Sequence, residues 1–207
     1  MTAPSSVKTD KNTSRYSSGD YWRDRSDLLY YRYIEYILRV VGRDAKSLLD
    51  VGSGNSPYLE WFDWIEDRRS VDIRVPYSSD NVQGIKGDIH KLSFDKTFDL
   101  CTCFQVLEHV PDAAAFARRL QELSETLIIS VPFKWPENWT KGHIHDPVDY
   151  EKLTGWMGRK ANYKMVVREP FRRNQHQRLI AIYDRDPDRR FGRPDIDQRI
   201  RRDQRMD

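Results

Sequence analysis

The residues able to do chemistry stand at the ends of apolar runs. The first group, Asp50-Val-Gly52-Ser53-Gly54, closes the run SLLDV and leads into Asn55-Ser56-Pro57. Two glycines this close at the carboxyl end of a strand let backbone approach a ligand that side chains would block. Asp50, two residues ahead of the first glycine, adds negative charge beside that approach. A glycine pair alone also fits an ordinary turn, so the later run ends decide its meaning. Asp72 ends the next run, where a carboxylate can accept hydrogen bonds from ribose hydroxyls. Asp88 and Ile89 follow the third run and Gln105 the fourth, with Glu108-His109 just beyond. A second histidine group, His143-Ile144-His145-Asp146, lies in a segment that also carries Trp135 and Trp139. Imidazoles here could take or give protons near neutral pH.

Two known chemistries compete for the glycine turn. A dinucleotide site wants a third glycine for tight helix packing beside a pyrophosphate. That position holds Pro57, which also lacks the N–H a phosphate would use. A cationic or amine-bearing nucleoside suits Asp50 and Pro57 better. The His143-x-His145-Asp146 spacing invites a metal, because alternate side chains on an extended segment point the same way. The ligand set is incomplete, however, and Asp146 is placed to cap a helix opening at Pro147, so no metal is expected.

The elements that must position these groups follow from periodicity. Residues 26–41 place apolar and aromatic side chains at helical spacing, with Ser26 as N-cap and Gly42 at the stop. KSLLDV reads as a short buried strand, and Ser56-Pro57 opens a second helix. SVDIRV, QGIKGD and TFDLCTCF read as strands, then PDAAAFARRLQELS as a helix and ETLIISV as a fifth strand. A helix from Pro147 through YEKLTGWM precedes two last strands, YKMVVRE and QRLIAIYD, whose short polar connection predicts antiparallel pairing at the sheet edge. Strands alternating with helices give an α/β fold with a largely parallel sheet and helices on both faces.

Composition narrows the class. The chain has 207 residues, 35 basic and 32 acidic, for a net charge of +3. That balance is poor for a dedicated nucleic-acid binder. No apolar run is long enough to span a membrane and the amino terminus is polar, so a cytoplasmic location is expected. Cys101 and Cys103 fall two apart on one strand face and read as buried free thiols. Three regions result: a polar segment over residues 1–25, a domain over 26–183, and a charged, disordered tail over 184–207. Tyr16, Tyr21 and Trp22 in the first segment are aromatic in a stretch too polar to fold alone, and are expected to order over a bound cofactor as a lid.

Together, Asp50-x-Gly52-x-Gly54, the strand-end Asp72, Gly87-Asp88-Ile89 and Phe98-Asp99 leading to Gln105-Val106-Leu107-Glu108-His109-Val110 resemble the class I S-adenosylmethionine-dependent methyltransferases, especially small enzymes acting on metabolites. The resemblance covers about residues 45–183. It implies a Rossmann-like three-layer sandwich around a seven-stranded, mostly parallel sheet whose last strand is antiparallel. It also implies S-adenosylmethionine as cofactor, with Gly52 and Gly54 under its methionine moiety, Asp72 on the ribose, and Asp88 with Ile89 at adenine. Asp50, Ser53 and Gln105 complete the expected cofactor set. Ser56 stands where the family often has another glycine, which crowds the site.

Methyl transfer needs alignment above all, and a base only if the acceptor is a hydroxyl. His109, His143 and His145 are the candidates for that base. Glu108, Trp135, Trp139 and Tyr21 are expected around a small-molecule acceptor, with transfer to oxygen favoured. A non-catalytic cofactor-binding module and an RNA methyltransferase using the arginine-rich tail are the competing readings. The acceptor, the atom methylated and the assembly state, a homodimer included, are left open.

Overall fold

Seven strands form one sheet in the order β3-β2-β1-β4-β5-β7-β6, and helices cover both of its faces. The computed structural model describes residues 20–171 and 176–201. Tyr16 and the side chain of Tyr21 lie outside what is described. In chain order the elements are α1 (Asp20–Arg23), α2 (Leu29–Val41), β1 (Ser47–Val51), a 3-10 turn (Pro57–Trp61), β2 (Asp67–Asp72), β3 (Gln83–Lys86) and β4 (Phe98–Phe104). A second 3-10 turn (Leu107–His109), α3 (Ala113–Glu122), β5 (Ser124–Pro132), α4 (Tyr150–Met157), β6 (Tyr163–Arg168), β7 (Gln177–Asp184) and α5 (Arg193–Asp197) follow.

Strands β1 to β5 pair in parallel, whereas β7 is antiparallel to both β5 and β6. The closing hairpin is therefore antiparallel at the sheet edge as the sequence predicts. β7 is inserted between β5 and β6, and β6 takes the edge. Their residue types agree: β7 is almost wholly buried, while β6 alternates toward solvent. The chain moves outward from β1 through β2 to β3 and returns to place β4 on the other side of β1. The carboxyl ends of β1 and β4 thus flank the point where strand order reverses, the place in such sheets where a crevice opens.

Two cores lie against the two sheet faces. One joins Leu49, Cys101, Cys103, Leu127 and Ile129 to α3 and α4 through Phe116, Leu120 and Leu153. The other joins Leu48, Leu100, Ile128 and Ile180 to α2 and the first 3-10 turn through Ile34, Leu38, Leu59 and Phe62. The two cysteines share the first core as buried free thiols. Of the four tyrosines in α2, Tyr30 and Tyr31 are buried while Tyr33 and Tyr36 are exposed, as a helix with one core face requires.

Several boundaries differ from the sequence reading. α2 begins at Leu29, and its cap is not Ser26: the Glu169 carboxylate accepts from the backbone N–H of Leu29 and of Tyr30, each at 3.0 Å. Ser26 instead turns its hydroxyl to the Arg23 carbonyl. The segment after Ser56-Pro57 makes only a 3-10 turn, its apolar side chains packing under β1 rather than extending a helix. Asp146 caps nothing. The Asp146–Pro147 peptide is cis, α4 starts at Tyr150, and Asp149 is its N-cap, accepting from the Lys152 N–H at 2.9 Å.

Trp22 packs edge-on against Tyr31 with centroids 4.9 Å apart and is tilted on Trp61 at 5.5 Å. Beyond Asp184, where composition predicts disorder, the described residues to Arg201 include α5 and return to α2, with the Ile200 N–H donating to the Arg39 carbonyl at 2.9 Å. Arginine and aspartate in this stretch pair with each other, Arg189 lying 3.4 Å from Asp184 and 3.6 Å from Asp195. Among the described residues no helix is long and apolar enough to cross a membrane.

Candidate active site

The cofactor half of the site is assembled by β1, β2 and β4. Asp50 sits in β1, between β2 and β4, and is 1% exposed. Its Oδ1 accepts from the Tyr58 hydroxyl and, at 2.8 Å, from the Thr102 hydroxyl. Its Oδ2 has no partner among the described residues. Burial pushes the Asp50 carboxyl up to about 7, against the pull of Tyr58 and Thr102. An orphaned buried oxygen of this kind is a vacancy for a cationic donor.

The glycine turn that follows has left-handed backbone at both glycines, φ +86° at Gly52 and +53° at Gly54. A Cβ at Gly52 would also lie 2.3 Å from a methyl of Val106, so the turn packs directly on the segment leaving β4. Ser53 is buried and bonds the Ser70 hydroxyl at 2.8 Å, which locks the turn to β2.

Asp72 ends β2 and fastens the same turn. One oxygen accepts from the Gly54 N–H at 3.1 Å and the other from the N–H groups of Arg74 and Val75 at 2.7 and 3.0 Å. A carboxylate has about four lone-pair directions, so capacity for ribose hydroxyls remains. Asp88 accepts from the His90 N–H at 3.0 Å. Ile89 is 2% exposed and packed into the core, which leaves Asp88 as the member of that pair at the surface. Gln105 ends β4 with φ +59°. Its N–H donates to the Ser130 carbonyl and its amide to the Ser130 hydroxyl, which also meets the Tyr30 hydroxyl.

The acceptor half is built from the 3-10 turn after β4 and the segment between β5 and α4. Glu108 is fully buried, and neither carboxylate oxygen has a hydrogen-bond partner among the described residues. Burial pushes its carboxyl up to about 8, with Asp146 adding to the shift while its own backbone N–H and Arg178 oppose it. His109 is exposed. Its Nδ1 donates to the Gly142 carbonyl at 2.8 Å, because a carbonyl can only accept. His143 Nδ1 donates to Asp146 at 2.6 Å, and its Nε2 lies 4.0 Å from Glu108. The two rings meet edge-on with centroids 4.7 Å apart. Trp135 stacks on His143 at 5.7 Å and 16°, and the half-exposed Trp139 stands edge-on to Trp135 at 4.9 Å.

The H-x-H pairing that the spacing of His143 and His145 invites does not form. His145 points away, its Nε2 on the Val110 carbonyl at 2.8 Å and its ring against Trp156. It belongs neither to the acceptor pocket nor to a metal set with Asp146. Four contributors escape sequence reading: Tyr58 and Thr102, which orient Asp50; Gly142, which orients His109; and Asp146 as the partner of His143. Only Asp146 leaves a local signal, its place before a proline in a polar turn.

These features define a class before any comparison: a doubly covered α/β sheet with an acid-flanked glycine turn at the switch point and an acid after β2. A methyltransferase domain family matches residues 21–179, and the chain belongs to that family. It is a class I S-adenosylmethionine-dependent methyltransferase. Among solved structures, the N-methyltransferase NodS of Bradyrhizobium japonicum, crystallised with S-adenosylhomocysteine, superposes with a TM-score of 0.60 at 15% identity, covering 84% of this chain and 98% of that one. The 1,6-didemethyltoxoflavin-N1-methyltransferase of Burkholderia thailandensis gives 0.57 at 15% identity, over 88% and 93% of the two chains. A methyltransferase of Clostridium acetobutylicum gives 0.59 at 10% identity, over 83% and 98%. No curated protein sequence matches.

The residues present fit the cofactor. Asp50 offers its ammonium group a buried carboxylate with one unpartnered oxygen, the glycine turn offers backbone without side chains, and Asp72 keeps acceptor capacity at a strand end.

Proposed function

We propose that this enzyme moves the methyl group of S-adenosylmethionine to an oxygen of a small molecule, held between the glycine turn and the Glu108, His109 and His143 cluster with Trp135 and Trp139 as an apolar wall. The observation that supports oxygen is the His109 ring. With Nδ1–H given to Gly142, Nε2 keeps its lone pair on an exposed imidazole. An attacking hydroxyl must lose a proton as it bonds to the methyl carbon, and that lone pair receives it. The carbon–sulfur bond breaks with its electrons going to sulfur, leaving S-adenosylhomocysteine. Alignment of the oxygen with the methyl carbon supplies most of the acceleration, about 7–11 kcal/mol in well-oriented systems.

A small molecule is favoured over RNA because several arginines of the stretch after Asp184 face acids of the same chain. Arg185 meets Glu125 at 2.6 Å, Arg189 lies 3.4 Å from Asp184 and Arg193 meets Asp197 at 3.7 Å, which reduces the positive charge this stretch offers to phosphates. The test is a panel of small hydroxyl and amine acceptors assayed with the wild type and with His109→Ala. Cofactor affinity is expected to hold in the variant while kcat on hydroxyl acceptors falls about 10²- to 10⁴-fold. Methylation of amines only, with His109→Ala as active as the wild type, rejects oxygen. An amine acceptor would then bring the enzyme into line with the two N-methyltransferases it resembles in fold.

A further inference from the structure

The same cluster has a composition that a proton acceptor alone does not require. One ligand atom each from Glu108, His109 and His143 lie within 4.8 Å of one another. We propose that these three side chains bind one divalent transition-metal ion. This rests on reading the cluster as the acceptor side of the pocket.

Three observations carry it. Both oxygens of Glu108 are buried without a hydrogen-bond partner among the described residues, and a buried carboxylate left unpaired is costly unless a cation meets it. Each histidine gives its Nδ1 proton to a fixed acceptor, Gly142 for one and the Asp146 carboxylate for the other, so each presents Nε2 as the atom with a free lone pair. This is how metal-binding imidazoles are held, the acceptor behind the ring fixing tautomer and orientation. The segment carrying His143 is also pinned to the turn carrying Glu108, the Ile144 N–H donating to the Glu108 carbonyl at 2.9 Å.

The donor set says which ion. Two imidazoles and one carboxylate suit zinc, cobalt, manganese or iron, whereas magnesium and calcium prefer oxygen alone. Three protein ligands leave coordination positions open, as in catalytic rather than structural sites. A hydroxyl acceptor bound there would be acidified by the cation and release its proton to water, so that with the ion bound the proton-accepting role proposed for the His109 Nε2 passes to solvent and His109 holds the ion. His145 has no part in the set, its Nε2 being held by Val110.

The full-length protein, treated with chelator and dialysed, is titrated with Co²⁺ in the absence of cofactor and acceptor, and the visible absorption of the ion is followed. Zn²⁺ is then added in competition. One Co²⁺ per chain is expected, displaced by Zn²⁺ and not by Mg²⁺ or Ca²⁺. Glu108→Gln and His109→Ala should each weaken binding at least about tenfold, while His90→Ala, an exposed histidine elsewhere, leaves it unchanged. His109 is exposed, so its variant reports even if the buried Glu108 variant fails to fold. Wild-type binding weaker than about 1 mM, or affinity unchanged in His109→Ala, overturns the proposal, as does preference for Mg²⁺ or Ca²⁺. Methyl transfer to hydroxyls that persists in chelator, without Co²⁺ binding, removes the ion and leaves the proposed function standing. Co²⁺ binding without transfer to any hydroxyl does the reverse.

Discussion

Asp50 keeps a carboxyl where water does not reach, with one oxygen satisfied and the other bare. Its folded value of about 7 is above the unfolded one. Between about pH 4 and pH 7 the folded protein therefore holds a proton that the unfolded chain has released, and stability falls as pH rises through that window. Above it the full penalty applies, on the order of 4 kcal/mol. Asp50→Asn should therefore melt at higher temperature than the wild type at pH 8, with the two curves converging below pH 4. The same variant should lose measurable affinity for S-adenosylmethionine in calorimetry. A cationic ligand also favours the ionised carboxylate, so cofactor binding near pH 6 should release close to one proton, read by calorimetry in buffers of different ionisation heat. Zero release would detach Asp50 from the cation. Asp72→Ala should weaken cofactor binding by about 1.5–3 kcal/mol, the range for hydrogen bonds to a charged group. At this scale Asp50, both glycines and Asp72 are legible because their spacing is local. Thr102 is not, since it meets Asp50 only after β1 has found β4, and Tyr58 is not, since it reaches Asp50 only when the 3-10 turn folds back under β1.

Among the elements, those whose signal lies within a few turns of chain are the ones periodicity finds. α3 is one, with Asp112 accepting from the Ala115 N–H at 2.8 Å as its cap. α2 shows its core face in the spacing of Tyr30, Ile34, Leu38 and their neighbours, yet its start is set by Glu169, which no local rule connects to it. Glu169→Ala should lower stability by about 1–3 kcal/mol in urea unfolding, because it strips two backbone donors of their partner and leaves Arg178, 3.7 Å away, without that charge. An unchanged midpoint would show that water replaces the carboxylate. The helix read from Pro147 fails for a related reason. Asp146 is drawn to His143 across the turn, and Asp149 takes the capping role three residues later.

In the whole molecule, the strand order divides the labour. The residues we propose for the cofactor lie within 50–105, which run out along the sheet and back, and those we propose for the acceptor lie in the stretch after β4. Alternation of strands and helices makes the class and most of the strand set legible. The insertion of β7 between β5 and β6 is legible only in the contrast between the apolar run LIAIY of β7 and the more polar YKMVVR of β6, since pairing alone leaves either strand free to take the edge. In the described part of the carboxyl-terminal stretch, Arg189 and Arg193 pair with acids on the molecule, an arrangement its composition alone does not predict. Ending the chain after Asp188 removes α5 and the Ile200 tie to Arg39. It should lower stability by about 1 kcal/mol, seen as an earlier urea midpoint, and leave cofactor affinity unchanged.

The carboxylate that closes α2 also sets an order in time. α2 precedes every described strand, but the acceptor for its first two amides arrives only with the end of β6. A growing or refolding chain therefore cannot finish α2 until β6 is in place. In pulse-labelled hydrogen exchange the amides of Leu29 and Tyr30 should gain protection together with β6, after those of α3, so that one of the first segments made is among the last to be secured.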